Sequence, residues 1–258
     1  MNDIQFSIIT IVYNESDTID STLKSIISQS YNAFEYIVID GKSTDGTTEI
    51  IKKYSNSIDY FISENDKGIY DAMNKGLSFC NGEYVIFMNG GDCFANEYVL
   101  EKIYSILKSS NNLYDFIYGD SIVKMKENKT YPKRARNHRY FWYGMFANHQ
   151  AMVYSLSIIR NYNLRYDLKY KISADYKFTL EFLQKSKSIC YIPTAICLFS
   201  MDGISNQQKQ LGLVEAQNAR SEVLRYTKLQ NSFIGVILYL SRFLSDNMGN
   251  VYKYLRYK

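Results

Sequence analysis

Strand-like and helix-like segments alternate over the first hundred residues, and this alternation restricts the fold more than any other feature. Phe6–Val12 is a β-branched, apolar run that reads as a buried strand. The loop Tyr13-Asn14-Glu15 follows, and Ser16 or Asp17 can cap a helix whose apolar face is Ile19, Leu23, Ile26 and Ile27. Tyr36–Ile39 reads as a second strand that ends at Asp40. Behind it come the polar turn Gly41–Gly46 and a helix carrying Ile50, Ile51 and Tyr54. Tyr60–Ile62 is a third short strand and Gly68–Phe79 a helix. Tyr84–Met88 is a fourth strand, running into Asn89-Gly90-Gly91-Asp92, and another helix spans about Glu97–Leu107. The pattern predicts an α/β fold with a doubly wound, mostly parallel central sheet flanked by helices.

Such sheets bind ligands beyond the carboxyl ends of their strands. That rule selects Asn14 and Glu15, then Asp40, then Asp92, so carboxylates stand at three separate strand ends. Neither Gly-x-Gly-x-x-Gly nor Gly-x-x-x-x-Gly-Lys-Ser/Thr occurs, which argues against dinucleotide oxidoreductases and P-loop kinases. Cys80, Cys93, Cys190 and Cys197 form no Cys-x-x-Cys pair, and His138 and His149 are the only histidines. A zinc cluster is therefore not expected, and the thiols read as reduced and mostly buried. A hydrophobic content of 46% fits a packed core, and a net charge of +4 gives no case for nucleic acid. No signal peptide is legible at the N-terminus, and the longest apolar run, Phe233–Leu240, falls far short of a membrane span. The expected location is cytoplasmic.

After Tyr118 the periodicity loosens. Lys124–Arg139 holds seven Lys/Arg residues against one acid, Glu127. The run reads either as a solvated loop or as an anion site for a phosphate-bearing acceptor or anionic lipid. Phe141-Trp142-Tyr143 and Asn148-His149-Gln150 follow, and Ala174–Phe182 reads as a helix that starts near Asp175. From about Leu213 the tail is helical in pattern. Phe233, Val236, Ile237, Leu240, Phe243 and Leu244 recur at helical spacing, with Arg242, Lys253, Arg256 and Lys258 nearby. That helix suits a membrane interface, or packing on the catalytic domain or on a partner chain.

Magnesium and manganese prefer oxygen ligands and usually take one or two protein carboxylates, with phosphates completing the shell. Asp92, behind two glycines that let a bulky diphosphate approach the backbone, suits that role; it equally suits a helix cap after a plain turn. Asp175 likewise reads as a general base or as an acid at a helix N-terminus.

Several blocks together resemble family-2 inverting glycosyltransferases with the GT-A fold, among them bacterial O-antigen, colanic-acid and capsule enzymes. They are Ser7-Ile-Ile-Thr-Ile-Val-Tyr-Asn-Glu15 with Leu23–Gln29, Tyr36–Thr47, Gly68–Gly76, and Gly82–Asp92, and the resemblance covers roughly residues 4–205. It implies a catalytic domain over 1–205, with a nucleotide-binding half to about 110 and an acceptor-binding half after it. A helical extension then spans 206–258. It also implies roles. Thr10, Tyr13, Asn14 and Glu15 would line the nucleotide pocket. Asp40 would accept from the base, typically uracil. Asp66, Lys67 and Asp71 would lie near ribose, diphosphate or sugar, beside Asn89, Gly90 and Gly91. Asp92 would bind Mn2+ or Mg2+, and Asp175 would deprotonate the acceptor. His149 and Gln150 would stand on the acceptor or diphosphate side, with His149 a competing base, and Gly203 and Ser205 would form a loop near the donor. Family members usually carry further acids just before the position of Asp92; Asn89 and Gly91 stand there instead, so Asp92 is expected as the only ionic ligand.

The implied activity is transfer of a hexose or N-acetylhexosamine from a UDP-sugar to a lipid-linked glycan acceptor of a bacterial surface polysaccharide. Peripheral contact with the inner face of the membrane through 233–258, and a homo-oligomer, go with it. The alternatives are a sugar-phosphate nucleotidyltransferase, whose Gly-rich loop is missing after the first strand, and a non-catalytic carbohydrate-binding protein.

Overall fold

The structure is a computed structural model that describes residues 5–111, 114–125, 129–200 and 208–247. Strands β1 (Phe6–Val12), β2 (Phe34–Asp40), β3 (Tyr60–Ser63) and β4 (Tyr84–Phe87) form a parallel unit in the order β3-β2-β1-β4. Helices α1 (Ile19–Ile27), α2 (Thr47–Lys52) and α3 (Ile69–Phe79) connect them, as parallel pairing requires. Every residue of β1 is buried, because strands flank it on both edges and helices cover both faces. Its side chains alternate between two cores. Phe6, Ile8 and Val12 pack with Ile19, Leu23 and Ile26 of α1 and with Leu100, Ile103 and Leu107 of α4 (Val99–Ser109). Ile9 and Ile11 pack on the opposite face with Met73 and Leu77 of α3.

Beyond β4 the sheet becomes mixed. Strand β8 (Met152–Ser155) runs antiparallel to β4, β6 (Phe116–Lys124) antiparallel to β8, and β9 (Ile189–Ser200) parallel to β6. Short strands β5 (Cys93–Phe94) and β7 (Thr130–Lys133) pair antiparallel with β9 and β6. The basic stretch whose periodicity was weak is thus largely the β6–β7 hairpin, where an edge strand needs no apolar face. Its Lys126 and Glu127 lie outside the described residues.

Two helices accompany the mixed half of the sheet, α5 (Leu156–Asn161) and α6 (Ala174–Leu183). The C-terminal helices are α7 (Lys209–Leu224) and α8 (Lys228–Asn247). Helix α7 packs on α6 and buries Glu215, Ala219 and Arg220; Arg220 Nε then donates to Asn231 Oδ1 of α8 at 2.9 Å. Helix α8 buries Ile234 but leaves Leu229, Phe233, Val236, Tyr239, Leu240 and Phe243 exposed. Among the described residues no helix is long and apolar enough to cross a membrane, and all four cysteines are free thiols. Lys253, Arg256 and Lys258 lie outside the described residues.

Candidate active site

Register sets the ends of three strands abreast: Val12 faces Asp40, and Asp40 faces Ser63. The loops that leave β1 and β2 are then stitched together. Asn14 N–H donates to Ser43 Oγ at 2.8 Å, and Thr44 N–H donates to Asn14 Oδ1 at 2.9 Å. Glu15 N–H donates to Thr47 Oγ1 at 2.8 Å, and Ser16 N–H donates to Asp45 Oδ2 at 2.9 Å. Asn14 adopts a left-handed conformation, φ 51°, which asparagine tolerates better than most residues. Asp40 is fully buried: it accepts from the Ser43 N–H at 3.1 Å, from the Ser43 hydroxyl, and from the Ser63 hydroxyl at 2.6 Å. The sequence reading put this carboxylate against a base. In the structure it is bonded to Ser43 and to Ser63, and so it braces the ends of β2 and β3.

A slot opens above Gly41. A Cβ at this position would lie 3.1 Å from Asp66 Oδ2 and 3.2 Å from Tyr13 Cδ2, so the ring and the carboxylate flank bare backbone. Tyr13 is 63% exposed, so its ring face is open to a stacking partner. Lys75 fixes Asp66, with Nζ 2.5 Å from Oδ1, and also meets Glu64 at 2.8 Å and Asp71 at 3.6 Å. Burial opposes the ammonium charge, yet the bonds to Asp66 and Glu64 outweigh it and raise the Lys75 pKa. Asp71 Oδ2 accepts the Lys67 N–H at 3.0 Å at the start of α3, while the Lys67 side chain stays exposed.

The end of β4 joins the same rim. Gly90 N–H donates to the Ile11 carbonyl at 2.9 Å, and Gly91, at φ +85°, donates its N–H to Thr22 Oγ1 at 3.1 Å. Glu15 accepts the Thr18 hydroxyl, and its Oε2 lies 3.8 Å from where a Gly91 Cβ would stand. Asp92 is 9% exposed, and its Oδ2 accepts Gln150 Nε2–H at 2.6 Å. Three residues before it, the Asn89 Oδ1 is buried with no hydrogen-bond partner among the described residues. Such an orphan costs about 1–3 kcal/mol, which a ligand bonded there would offset. Two oxygen donors, one of them charged, fit a hard divalent cation that takes the rest of its shell from phosphate and water. Among the described residues no group of three or more His, Cys, Asp or Glu is placed to hold a metal by itself.

Asp175 stands in the first turn of α6. Its Oδ1 accepts the Tyr176 N–H at 2.8 Å and lies 3.4 Å from the Tyr70 hydroxyl of α3. Burial pushes its pKa up to about 6, partly countered by the Tyr176 and Tyr70 hydrogen bonds. Tyr70 stacks on Tyr166, whose hydroxyl pairs with His149 Nε2 at 2.9 Å; Gln150, next in the chain, reaches Asp92. Direct contacts therefore run from the Asp92 end of the site to Asp175.

Two sequence expectations need correction. Thr10 is fully buried, with its hydroxyl donating to the Met88 carbonyl at 2.7 Å and paired with Tyr36 at 3.0 Å, so it ties β1 to its neighbours and faces no cleft. His149 is buried against Phe87 and Tyr154, and desolvation pulls its pKa down to about 4, too low for a base near neutrality. Gly203 and Ser205 lie outside the described residues. Sequence reasoning missed Ser43, Ser63, Tyr70, Lys75 and Glu215. Only Lys75 was findable, from its i, i+4 spacing to Asp71. A concavity of about 600 Å³ lies between α6 and α7 against Lys177, Glu181, Glu222 and Arg225, and contains none of the strand-end residues.

The model of glycosyl transferase family 2 matches residues 7–194. The chain belongs to that family. It is a glycosyltransferase, and its mixed sheet is the GT-A fold. This family-2 enzyme is 27% identical over 207 residues to an uncharacterized glycosyltransferase of Mycobacterium tuberculosis, covering 79% of this chain and 78% of that one. A PGL/p-HBAD biosynthesis glycosyltransferase of Mycobacterium bovis is also 27% identical, over 68% of each chain. Among solved structures, S. aureus TarS 1-349 in complex with UDP superposes with a TM-score of 0.70 at 19% identity, over 95% of this chain and 73% of that one. The mannosyltransferase PcManGT of Pyrobaculum calidifontis, in complex with GDP-Man and Mn2+, gives 0.66 at 14% identity, over 92% and 70%. Family membership sets aside the nucleotidyltransferase and non-catalytic readings.

Proposed function

We propose that the enzyme transfers a hexose or N-acetylhexosamine from a UDP-sugar, with inversion, to a lipid-linked glycan acceptor in bacterial surface polysaccharide synthesis. The observation that carries this reading is the orphaned Asn89 oxygen, three residues before the Asp92 carboxylate, at the strand end that also opens onto the Tyr13–Asp66 slot. In this reading the base stacks on Tyr13 above Gly41. Asp66, Lys67 and Asp71 meet the ribose, diphosphate or sugar, and Gly90 and Gly91 leave room for the diphosphate. Asp92 and Asn89 would hold Mn2+ or Mg2+, which offsets charge on the departing diphosphate when bound. TarS in its complexes with UDP and UDP-GlcNAc supports the donor class, and PcManGT with Mn2+ supports the metal.

Asp175 acts as the base. It takes the acceptor hydroxyl proton while that oxygen bonds to the anomeric carbon and the bond to the diphosphate breaks, its electron pair leaving with UDP. A single base on the acceptor side suits one displacement and hence inversion. Gln150 holds Asp92, and Asp40 holds the turn beneath the base. The lipid-linked acceptor places the enzyme at the inner face of the membrane, with α8 as the contact.

The test is UDP release from a panel of UDP-sugars with Mn2+. Release by the wild type that disappears in Asp92→Ala supports the reading. Release that persists in Asp92→Ala, or a wild type inert toward every UDP-sugar, overturns it.

A further inference from the structure

We propose that Glu215, on helix α7, is a positioning residue for Asp175; the inference rests on the reading of Asp175 as the acceptor base. Helix α7 lies beyond the segment that the family model matches, 7–194, so nothing in the family assignment gives it a part in the reaction.

The geometry is specific. Glu215 is 7% exposed, and its carboxylate accepts three consecutive backbone N–H groups: Lys171 at 2.8 Å, Ile172 at 2.9 Å and Ser173 at 2.9 Å. These residues lead directly into α6, whose second residue is Asp175. Helix starts leave unpaired N–H groups, and the α6 N-cap, Ser173, makes no side-chain cap of its own. Instead Ser173 Oγ donates to the Gly212 carbonyl at 3.0 Å, and the Ser173 N–H is taken by Glu215, so the start of α6 is tied to another helix by both groups. The approach is close: a Cβ on Gly212 would lie 3.2 Å from Ile172 Cγ2. From the other side, the Tyr70 hydroxyl donates to the Ile172 carbonyl at 2.6 Å and lies 3.4 Å from Asp175 Oδ1. The segment before Asp175 is thus held between α3 and α7.

A further ion pair ties α6 to α7: Lys177 Nζ meets Glu222 of α7 at 2.6 Å, and it also meets Asp167, in the loop before α6, at 2.7 Å. That contact secures the helix pair, but of these two α7 carboxylates Glu215 is the one bonded to the backbone that aims Asp175. A carboxylate with three charge-assisted donors is a stiff clamp, whereas an uncapped helix start frays. A base has to reach the acceptor hydroxyl within hydrogen-bond distance, so fraying at 171–173 translates into lost rate.

The groups that face Asp175 are Tyr70 on α3, Glu215 on α7, the Tyr176 amide, and Tyr154 and Tyr166 within the core. The Glu215 charge helps to hold the Asp175 proton. Removing that charge at constant shape therefore has a signature that a merely structural change lacks.

The experiment uses the full chain as wild type, Glu215→Ala, Glu215→Gln and Asp175→Asn. UDP release is followed with whichever of UDP-glucose, UDP-galactose and UDP-GlcNAc the wild type turns over fastest in Mn2+, and amide exchange of 171–176 is measured alongside. Glu215→Ala is expected to lower kcat by about tenfold or more with KM for the donor little changed. Its amides at 171–173 should exchange faster. Glu215→Gln should recover part of the rate and move the acid limb of kcat to lower pH. Unchanged exchange in Glu215→Ala, or an acid limb that stays in place in Glu215→Gln, overturns the proposal. Full activity in Asp175→Asn instead overturns the underlying reading, while the exchange data still decide whether the clamp exists.

Discussion

The Tyr70 hydroxyl, donated at 2.6 Å to the Ile172 carbonyl, lies 3.4 Å from Asp175 Oδ1 and so couples α3, which starts beside Asp66 and Lys67, to the proposed base. Tyr70 is one of the groups that hold the Asp175 pKa below what burial alone would set. Since a base works deprotonated, kcat is expected to fall below about pH 6. Tyr70→Phe should move that acid limb upward, because a bond to the charged form is lost, and should lower kcat at pH 7 by less than about tenfold. A limb that moves downward would contradict the contact.

Stability and pH should separate Asp175 from His149. Asp175 has a raised native pKa, so the native state binds the extra proton and stability falls as pH rises from 3.8 toward about 6. His149 has a lowered one, so stability rises with pH between about 4 and 6.5. Each amounts to about 3 kcal/mol at most, and the two oppose each other between pH 4 and 6. Asp175→Asn removes one arm. Urea unfolding of that variant should show stability climbing more steeply with pH than in the wild type. It should also show a more stable protein at pH 7, the usual relation for a base kept in a costly place. Parallel curves would mean that Asp175 is not the buried acid described.

Thr10→Val is expected to cost about 1–2 kcal/mol of stability, because the Met88 carbonyl and the Tyr36 hydroxyl lose a buried partner. UDP affinity by calorimetry should stay within about twofold, or about 0.4 kcal/mol, since Thr10 faces no cleft. A tenfold loss of affinity with normal stability would return Thr10 to the pocket.

Residues 6–109 were largely legible, because an α/β unit announces itself twice, by apolar runs and by capping turns, and each strand end then falls where a ligand would. Asp92 could be selected as a candidate by that logic, and Asp175 by its place at a helix start together with resemblance. Burial could not. Thr10 sits in the same motif as Tyr13, yet β1 alternates, and only the three-dimensional neighbours decide that Thr10 points at Met88 while Tyr13 stands free. The bond from Ser63 to Asp40, twenty-three residues away across a parallel pair, is likewise one that a linear reading cannot register. The mixed half of the sheet was dim because β6, β8 and β9 pair across long separations, and the basic β7 edge carries no apolar period. Glu215 had no signal at all, since its three partners are backbone N–H groups and bear no residue type.

Gly41→Ala tests the slot. The added methyl would meet Asp66 Oδ2 at 3.1 Å and Tyr13 Cδ2 at 3.2 Å, and the exposed Tyr13 ring is the easier of the two to displace. The fold should tolerate the change, with thermal unfolding shifted by only a few degrees, about 1 kcal/mol. UDP binding should weaken by about tenfold or more if the ring has to stack on a base there. An unaltered affinity would mean that the base lies elsewhere.

Helix α8 carries the last expectation. Leu229, Phe233, Val236, Leu240 and Phe243 are all more than half exposed and follow one another at spacings of four, three, four and three, a single stripe along the helix. Residues 228–258 contain five basic side chains, Lys228, Arg242, Lys253, Arg256 and Lys258, against the single acid Asp246. Their excess equals the entire net charge of +4, so the preceding 227 residues balance to zero. An apolar stripe followed by concentrated positive charge matches an anionic lipid surface, where each basic residue adds about 1 kcal/mol. Burying a side chain the size of Phe233 adds about 2 kcal/mol more. The full chain should therefore sediment with phosphatidylglycerol vesicles and let go as salt is raised, while pure phosphatidylcholine vesicles should retain little. Phe233→Asp with Leu240→Asp should abolish sedimentation while leaving UDP release from a soluble acceptor assay intact, since neither residue is near the strand ends. If the wild type ignores phosphatidylglycerol and runs as a dimer that the double variant splits, the stripe is covered by a second copy instead.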